Sequence, residues 1–240
     1  MTDKAETNDM AMPARKRRRA AASRSGPPKF RVPSVEKALD VLELLSDSPQ
    51  GMTMNEITGA LGRTMGELYR IVVYLSQRGY IAQDPDTDRY ALTLRLFELS
   101  HRHDPTDRLL KRAIPVLETI AFRTEQSCHL AVLHQSAVLV LASVPSPRPA
   151  GYSVRTGAVF PVSKTSSGVV ILSFLPPDVQ ERFLSGFAAS EQAALRRRMG
   201  EIAARGYDQR ESSLVHGVNN LSAPVFDRSG VVAAITMGYI

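Results

Sequence analysis

Apolar residues in the first part of the chain recur at helical spacing. Val35, Ala38, Leu39, Leu42 and Leu45 follow Ser34 at steps of three and four, which predicts a helix capped by Ser34. Asp47-Ser48-Pro49-Gln50-Gly51 then reads as a turn. A short helix over 54–61 turns Ile57, Ala60 and Leu61 inward and stops at Gly62. Thr64 is placed to cap a third helix, which carries Leu68, Ile71, Val72 and Leu75 on one face and ends at Gly79. Residues 80–83 and 89–92 face each other across Asp84-Pro85-Asp86-Thr87-Asp88, a hairpin pattern. Three helices followed at once by a hairpin give the layout of a winged helix-turn-helix.

Beyond residue 92 the pattern first stays helical. Leu94, Leu96, Phe97 and Leu99 predict a linking helix broken at Pro105, and a helix over 106–124 buries Leu109, Leu110, Ala113, Leu117, Ile120 and Ala121. The period then shortens. Residues 128–133 and 137–144 read as strands around a turn, with a third strand over 152–155 closed by Thr156-Gly157. Helices over 165–175, 178–185 and 190–205 precede strands over 206–211, 217–226 and 231–238. Strands, then helices, then strands describe an α+β sheet domain. The expected division is a tail over 1–29, a helix-turn-helix domain over 30–92, a linker helix over 93–104 and a sheet domain over 105–240.

Charge changes this picture only locally. The net charge is +6, but residues 1–29 hold eight Lys/Arg against three acidic side chains, a net +5. Residues 30–105 carry −3 and the remainder +4. The basic tail, with Arg15-Lys16-Arg17-Arg18-Arg19 and almost no apolar periodicity, is expected to be disordered. It suits either an arm on nucleic-acid backbone or a solubilising leader. No apolar run approaches a membrane span, and the single cysteine, Cys128, excludes internal disulfides and cysteine-rich zinc modules. No cofactor signature is present.

Enzymatic constellations fail on geometry. Ser34-Val35-Glu36-Lys37 matches a Ser-x-x-Lys pattern and Lys164-Thr165-Ser166 lies downstream, but no Ser-Asp-Asn accompanies them. Cys128 and His129 are adjacent on a strand, so their side chains point to opposite faces. His101 and His103, two apart on a helix, do not face each other. A small-molecule hydrolase or transferase with an accessory helical domain is the alternative from another class, yet no nucleophile elbow, P-loop or dinucleotide fingerprint supports it.

Val35-Glu36-Lys37-Ala38-Leu39-Asp40-Val41-Leu42, Glu56-Ile57, Arg70, Leu75, Arg78-Gly79-Tyr80-Ile81 and Tyr90-Ala91-Leu92 resemble the DNA-binding half of IclR-family bacterial transcription regulators. His129-Leu130-Ala131-Val132-Leu133, Thr165 to Gly168 leading into Phe174-Leu175-Pro176, Arg205-Gly206-Tyr207 and Ser222-Ala223-Pro224-Val225-Phe226-Asp227 are similar to that family's GAF-like ligand domain. The resemblance runs in order over about 34–240. It implies a cytoplasmic homo-oligomer, dimer or tetramer, that binds a palindromic double-stranded DNA operator and answers to a small effector. Departures are Gly66 and Glu67 at the start of helix three, Val169 after Gly168, and Asn220 where a Cys is common. Loss of DNA binding with retention of the effector domain is therefore a further alternative.

Two residue sets follow. Arg63, Thr64, Gly66, Glu67, Tyr69, Arg70 and Tyr74 lie along helix three, where Arg reads guanine, Glu accepts from cytosine N4, and Tyr and Thr reach phosphate; an ordinary solvated helix face has the same composition. Thr165, Ser166, Ser167 and Gly168 form a small polar loop entering a helix, which suits a carboxylate or plain capping equally. The resemblance places Tyr152, Asn220, Thr236 and Gly238 around that loop, with Arg210 or Glu211 near it. An apolar wall from Tyr152 and Phe160, together with Arg210 as counter-charge, points to a small organic-acid effector.

Overall fold

The computed structural model describes residues 30–102 and 106–240; the expected tail and His103 lie outside them. The chain forms two compact units, dividing between Thr124 and Glu125. In the first, α1 (Pro33–Ser46), α2 (Met54–Leu61) and α3 (Met65–Gln77) precede a hairpin of β1 (Ile81–Gln83) and β2 (Tyr90–Leu92). Helices α4 (Arg95–Arg102) and α5 (Asp107–Thr124) complete it. Val41, Leu45, Ile57, Leu68, Val72, Leu75 and Ile81 form its core. At the end of α2, Gly62 adopts φ 62°, the left-handed conformation a helix stop requires.

Two expectations for α1 change. Val32 is its N-cap and Pro33 its first residue, so Ser34 already lies inside the helix. Proline suits that position because its preset φ fits a helix and its missing N–H would be unpaired there. The buried face is also rotated: Val41 and Leu45 are buried, whereas Val35 and Leu39 remain about half exposed. Apolar spacing defines a stripe wider than the contact, and the packing partners select part of it. In α5 half of the expected stripe is buried, Ala113, Leu117 and Ala121, while Leu109, Leu110 and Ile120 are only partly covered.

The second unit is a six-stranded antiparallel sheet in the order β5-β4-β3-β8-β7-β6. Its strands are β3 (Ser127–His134), β4 (Ala137–Val144), β5 (Val159–Pro161), β6 (Asp208–Glu211), β7 (Asn219–Asp227) and β8 (Gly230–Tyr239). Helices α6 (Ser166–Ser173), α7 (Pro177–Leu184) and α8 (Ala189–Arg205) come between β5 and β6. Helix α6 lies between the sheet and α8, and all eight of its residues are buried. Val138, Val169, Ile171, Leu172, Leu184 and Ile202 lie in the core around it.

The strand expected over 152–155 does not form; the third strand is β5. The ladder beside β4 starts only at the turn, where Gly157 N–H donates to Val140 O at 2.8 Å and Val140 N–H donates to Ala158 O at 2.9 Å. Upstream, Tyr152 O is taken by the Ser127 hydroxyl, so that segment is held without a strand partner.

Candidate nucleic-acid interface and ligand cavity

Helix α3 buries Leu68, Val72 and Leu75 and exposes Met65, Gly66, Glu67, Tyr69, Arg70 and Tyr74. The exposed set divides by what already holds each side chain. Thr64 N–H and Thr64 Oγ1 both donate to Glu67 Oε2 at 3.0 Å. Glu67 Oε1 pairs with Lys37 Nζ at 2.9 Å and lies 3.9 Å from Arg63, which also meets Asp40 at 3.5 Å. The Thr64 backbone N–H, then Lys37, holds the Glu67 carboxyl down at about 2. Glu67 thus secures the start of α3 and ties it to α1. Tyr74 accepts a hydrogen bond from Arg78 at 2.9 Å. Tyr69 and Arg70 stand exposed, and Arg70 has no ion-pair partner among the described residues.

The hairpin after α3 is anchored from below. Arg89 bonds both carboxylate oxygens of Glu56 and the Gly51 carbonyl. Its tip is acidic: Asp84 Oδ1 accepts from the N–H groups of Thr87 and Asp86, and Thr87 above all keeps its carboxyl below the ordinary range. Asp86 and Asp88 are exposed beside it.

In the second unit, Thr165 caps α6 by accepting from Gly168 N at 3.0 Å. The expected loop is therefore the buried first turn of the helix, and Gly168 N–H is not free. A side chain at Gly168 would place its Cβ 2.4 Å from Val162 O, so glycine lets this turn approach the backbone beneath it. Of the predicted residues, Tyr152, Thr165, Ser166, Ser167, Asn220 and Thr236 line one small cavity of about 30 Å³. Gly238 supports it, since a Cβ there would come within 2.9 Å of the Tyr152 ring. Thr236 Oγ1 is already hydrogen-bonded to Ser222 Oγ at 2.8 Å.

Arg210 and Glu211 lie outside this cavity. Arg210 faces Asn220 across the β6–β7 ladder, but its side chain lies toward Asp208, 3.7 Å away, in a neighbouring cleft. Glu211 accepts from Gly217 N at 3.2 Å and meets His216 at 3.1 Å, closing the loop between β6 and β7. The cavity's cation is Lys164 instead, with His129, Val154, Ser212 and Leu214 completing the wall around the expected Phe160. Burial holds the His129 imidazole down at about 4, so it is neutral at pH 7. His129 pairs with Thr236 across β3–β8, which puts both on one face. Adjacency to the Thr165 cap was the sequence signal for Lys164.

Residues 34–85 match the IclR helix-turn-helix domain, and residues 105–239 match the C-terminal domain of the bacterial transcriptional regulator IclR. The chain belongs to the IclR family. As an IclR-family member it is a DNA-binding transcriptional regulator, with a helix-turn-helix domain and an effector-type sheet domain. It is 29% identical over 203 residues to the glycerol operon regulatory protein of Streptomyces griseus, covering 82% of this chain and 80% of that one. It is 25% identical over 211 residues to the Escherichia coli regulator KdgR, covering 85% and 80%. An IclR homologue from Microbacterium hydrocarbonoxydans, crystallised with 4-hydroxybenzoate, shares the fold with TM-score 0.74 at 24% identity, covering 85% and 88%. Pseudomonas aeruginosa HmgR matches with TM-score 0.69 at 26% identity, covering 86% and 89%. These relatives are regulators, which removes the hydrolase or transferase alternative. Among the described residues no helix is long and apolar enough to cross a membrane, and no acidic, His or Cys cluster could hold a metal.

Proposed function

We propose that this IclR-family regulator binds a palindromic operator as a homodimer or tetramer, under control of a small organic acid held in the cavity beside α6. One observation carries the ligand class: Lys164, Asn220 and the α6 first-turn residues Ser166 and Ser167 line the same cavity as Tyr152, Phe160 and Leu214. A cation and a helix start favour a carboxylate, and the rings favour an apolar body. About 30 Å³ is the room of roughly one water, so the acid enters by displacing Leu214 with the exposed 213–217 loop.

On the DNA side, Tyr69 and Arg70 are the side chains free to reach base edges, while Thr64, Glu67 and Arg63 set the pose of α3. Gel-shift titration against genomic fragments at several salt concentrations tests that half, and sequence-selective binding is the expected result. The acidic hairpin tip favours the other reading, an effector-binding relative without DNA affinity, and absence of any selective fragment would establish it. Thermal shift with aromatic and aliphatic acids tests the cavity. One acid is expected to stabilise the parent by mass action, and Asn220→Leu to abolish the shift. Stabilisation only by cations or neutral compounds would overturn the assignment.

A further inference from the structure

Across Lys164 from the effector cavity lies a second and larger cleft, of about 330 Å³, formed by α8, β6 and residues 163–164. Lys164, Arg197, Arg198 and Arg210 line it, and the carboxylates of Glu191 and Glu201 stand among them. Phe187 and Leu195 supply an apolar patch. Arg198 and Arg210 share one buried carboxylate: Asp208 Oδ2 lies 2.6 Å from Arg198 Nη2 and Oδ1 lies 3.7 Å from Arg210 Nε. Four cations, Lys164, Arg197, Arg198 and Arg210, thus stand against three carboxylates, Glu191, Glu201 and Asp208, and one positive charge is left over. The Arg198 side chain is only 12% exposed, and its buried Nε has no acceptor. A buried cation with an unmet donor is costly, and an anion in the cleft would offset the charge, though not the buried Nε donor itself.

We propose that this cleft is a binding site for a small phosphate monoester with a hydroxylated carbon skeleton, separate from the organic-acid cavity. Guanidinium forks match the oxygens of a phosphate, as three arginines and Lys164 offer here. Glu191 and Glu201 accept hydrogen bonds from hydroxyl groups, and Phe187 with Leu195 covers the carbon skeleton. Occupancy is felt next door. Arg198 Nη2 also reaches Ser166 Oγ at 3.4 Å, and Ser166 and Lys164 belong to the effector cavity wall. Linkage then requires each ligand to alter the affinity of the other by the same factor.

The test is calorimetric titration of the full-length protein with glucose 6-phosphate and inorganic phosphate at fixed ionic strength, with glucose and succinate as controls. Saturable binding of the phosphate compounds is expected, tightest for the sugar phosphate. The exposed-site variants Arg197→Gln and Arg210→Gln should each weaken it roughly tenfold, the loss of one charge-assisted bond. Asn220→Leu, in the other cavity, should leave phosphate binding in place even though it abolishes the organic-acid shift. The proposal is overturned if no phosphate compound binds saturably, if succinate binds and phosphate does not, if both arginine variants bind like the parent, or if Asn220→Leu removes phosphate binding.

Discussion

Lys37 Nζ stands 2.9 Å from Glu67 Oε1, which joins α1 to the first turn of α3 by an ion pair. The other oxygen of the same carboxylate takes the Thr64 N–H and hydroxyl. With the folded carboxyl at about 2, below its ordinary 4.5, this stabilisation is complete above the ordinary value and is lost as pH falls through about 2. Glu67→Gln should lower Tm at pH 7 and lose less stability than the parent between pH 4.5 and 2. Thermal scans over that range decide it. Parallel profiles for the two proteins would show that the carboxylate contributes nothing to the pose of α3.

Arg70→Ala should weaken operator binding by about 1–3 kcal/mol per half-site and relax the preference at one base position of each half-site, as loss of a bidentate base contact does. Circular dichroism should show an intact fold, because Arg70 is exposed on α3. Parent-like affinity at physiological salt would remove Arg70 from the contact set.

Asp86→Lys tests the hairpin tip. Asp86 is exposed between Asp84 and Asp88, so a cation there replaces repulsion of the DNA backbone by attraction. Affinity should rise for all sequences alike, and the salt slope should steepen by about one ion per protomer on the DNA, roughly two per dimer. No change in slope would place the tip away from phosphate.

His129 sets a pH window of its own. The unfolded imidazole takes up a proton near 6.5, whereas burial delays the native one to about 4. Between these values the unfolded chain binds more protons, so stability falls as pH drops from 6.5 and levels off below 4. The drop has an upper bound of about 3.5 kcal/mol. His129→Gln should flatten it, as urea titrations at pH 7 and pH 4.5 will show.

Gly168→Ala should destabilise the second unit by about 1–3 kcal/mol, because the new methyl meets a backbone carbonyl that cannot rotate aside. A variant of unchanged urea midpoint would mean that α6 shifts freely against the residues beneath it.

The helix-turn-helix was legible because each of its signals is local. Gly62 and Gly79 stop helices through positive φ, and Leu68, Val72 and Leu75 recur at helical spacing. The cavity was legible only in part. Seven predicted residues line it, yet the charged residue beside them is Lys164 and not Arg210. Both were charged residues next to pocket elements. Arg210 even faces Asn220 across the ladder, but a long side chain goes where its partner is, and that partner is Asp208.

By itself the sequence determined which segments form most of the helices and strands, the α+β order, the face of α3 that turns outward, and the family to which the chain belongs, but not the start of α1 or the place of the third strand. These depend on periodicity and on residues that restrict their own backbone. Tertiary structure alone decided that α1 is buried through Val41 and Leu45, that Glu67 pairs with Lys37 of α1, and that His129 and Leu214 stand in the same wall as Asn220. Those outcomes depend on which distant groups compete for one carboxylate or one patch of apolar surface. That competition takes place between elements far apart in the chain, and no local pattern records its winner.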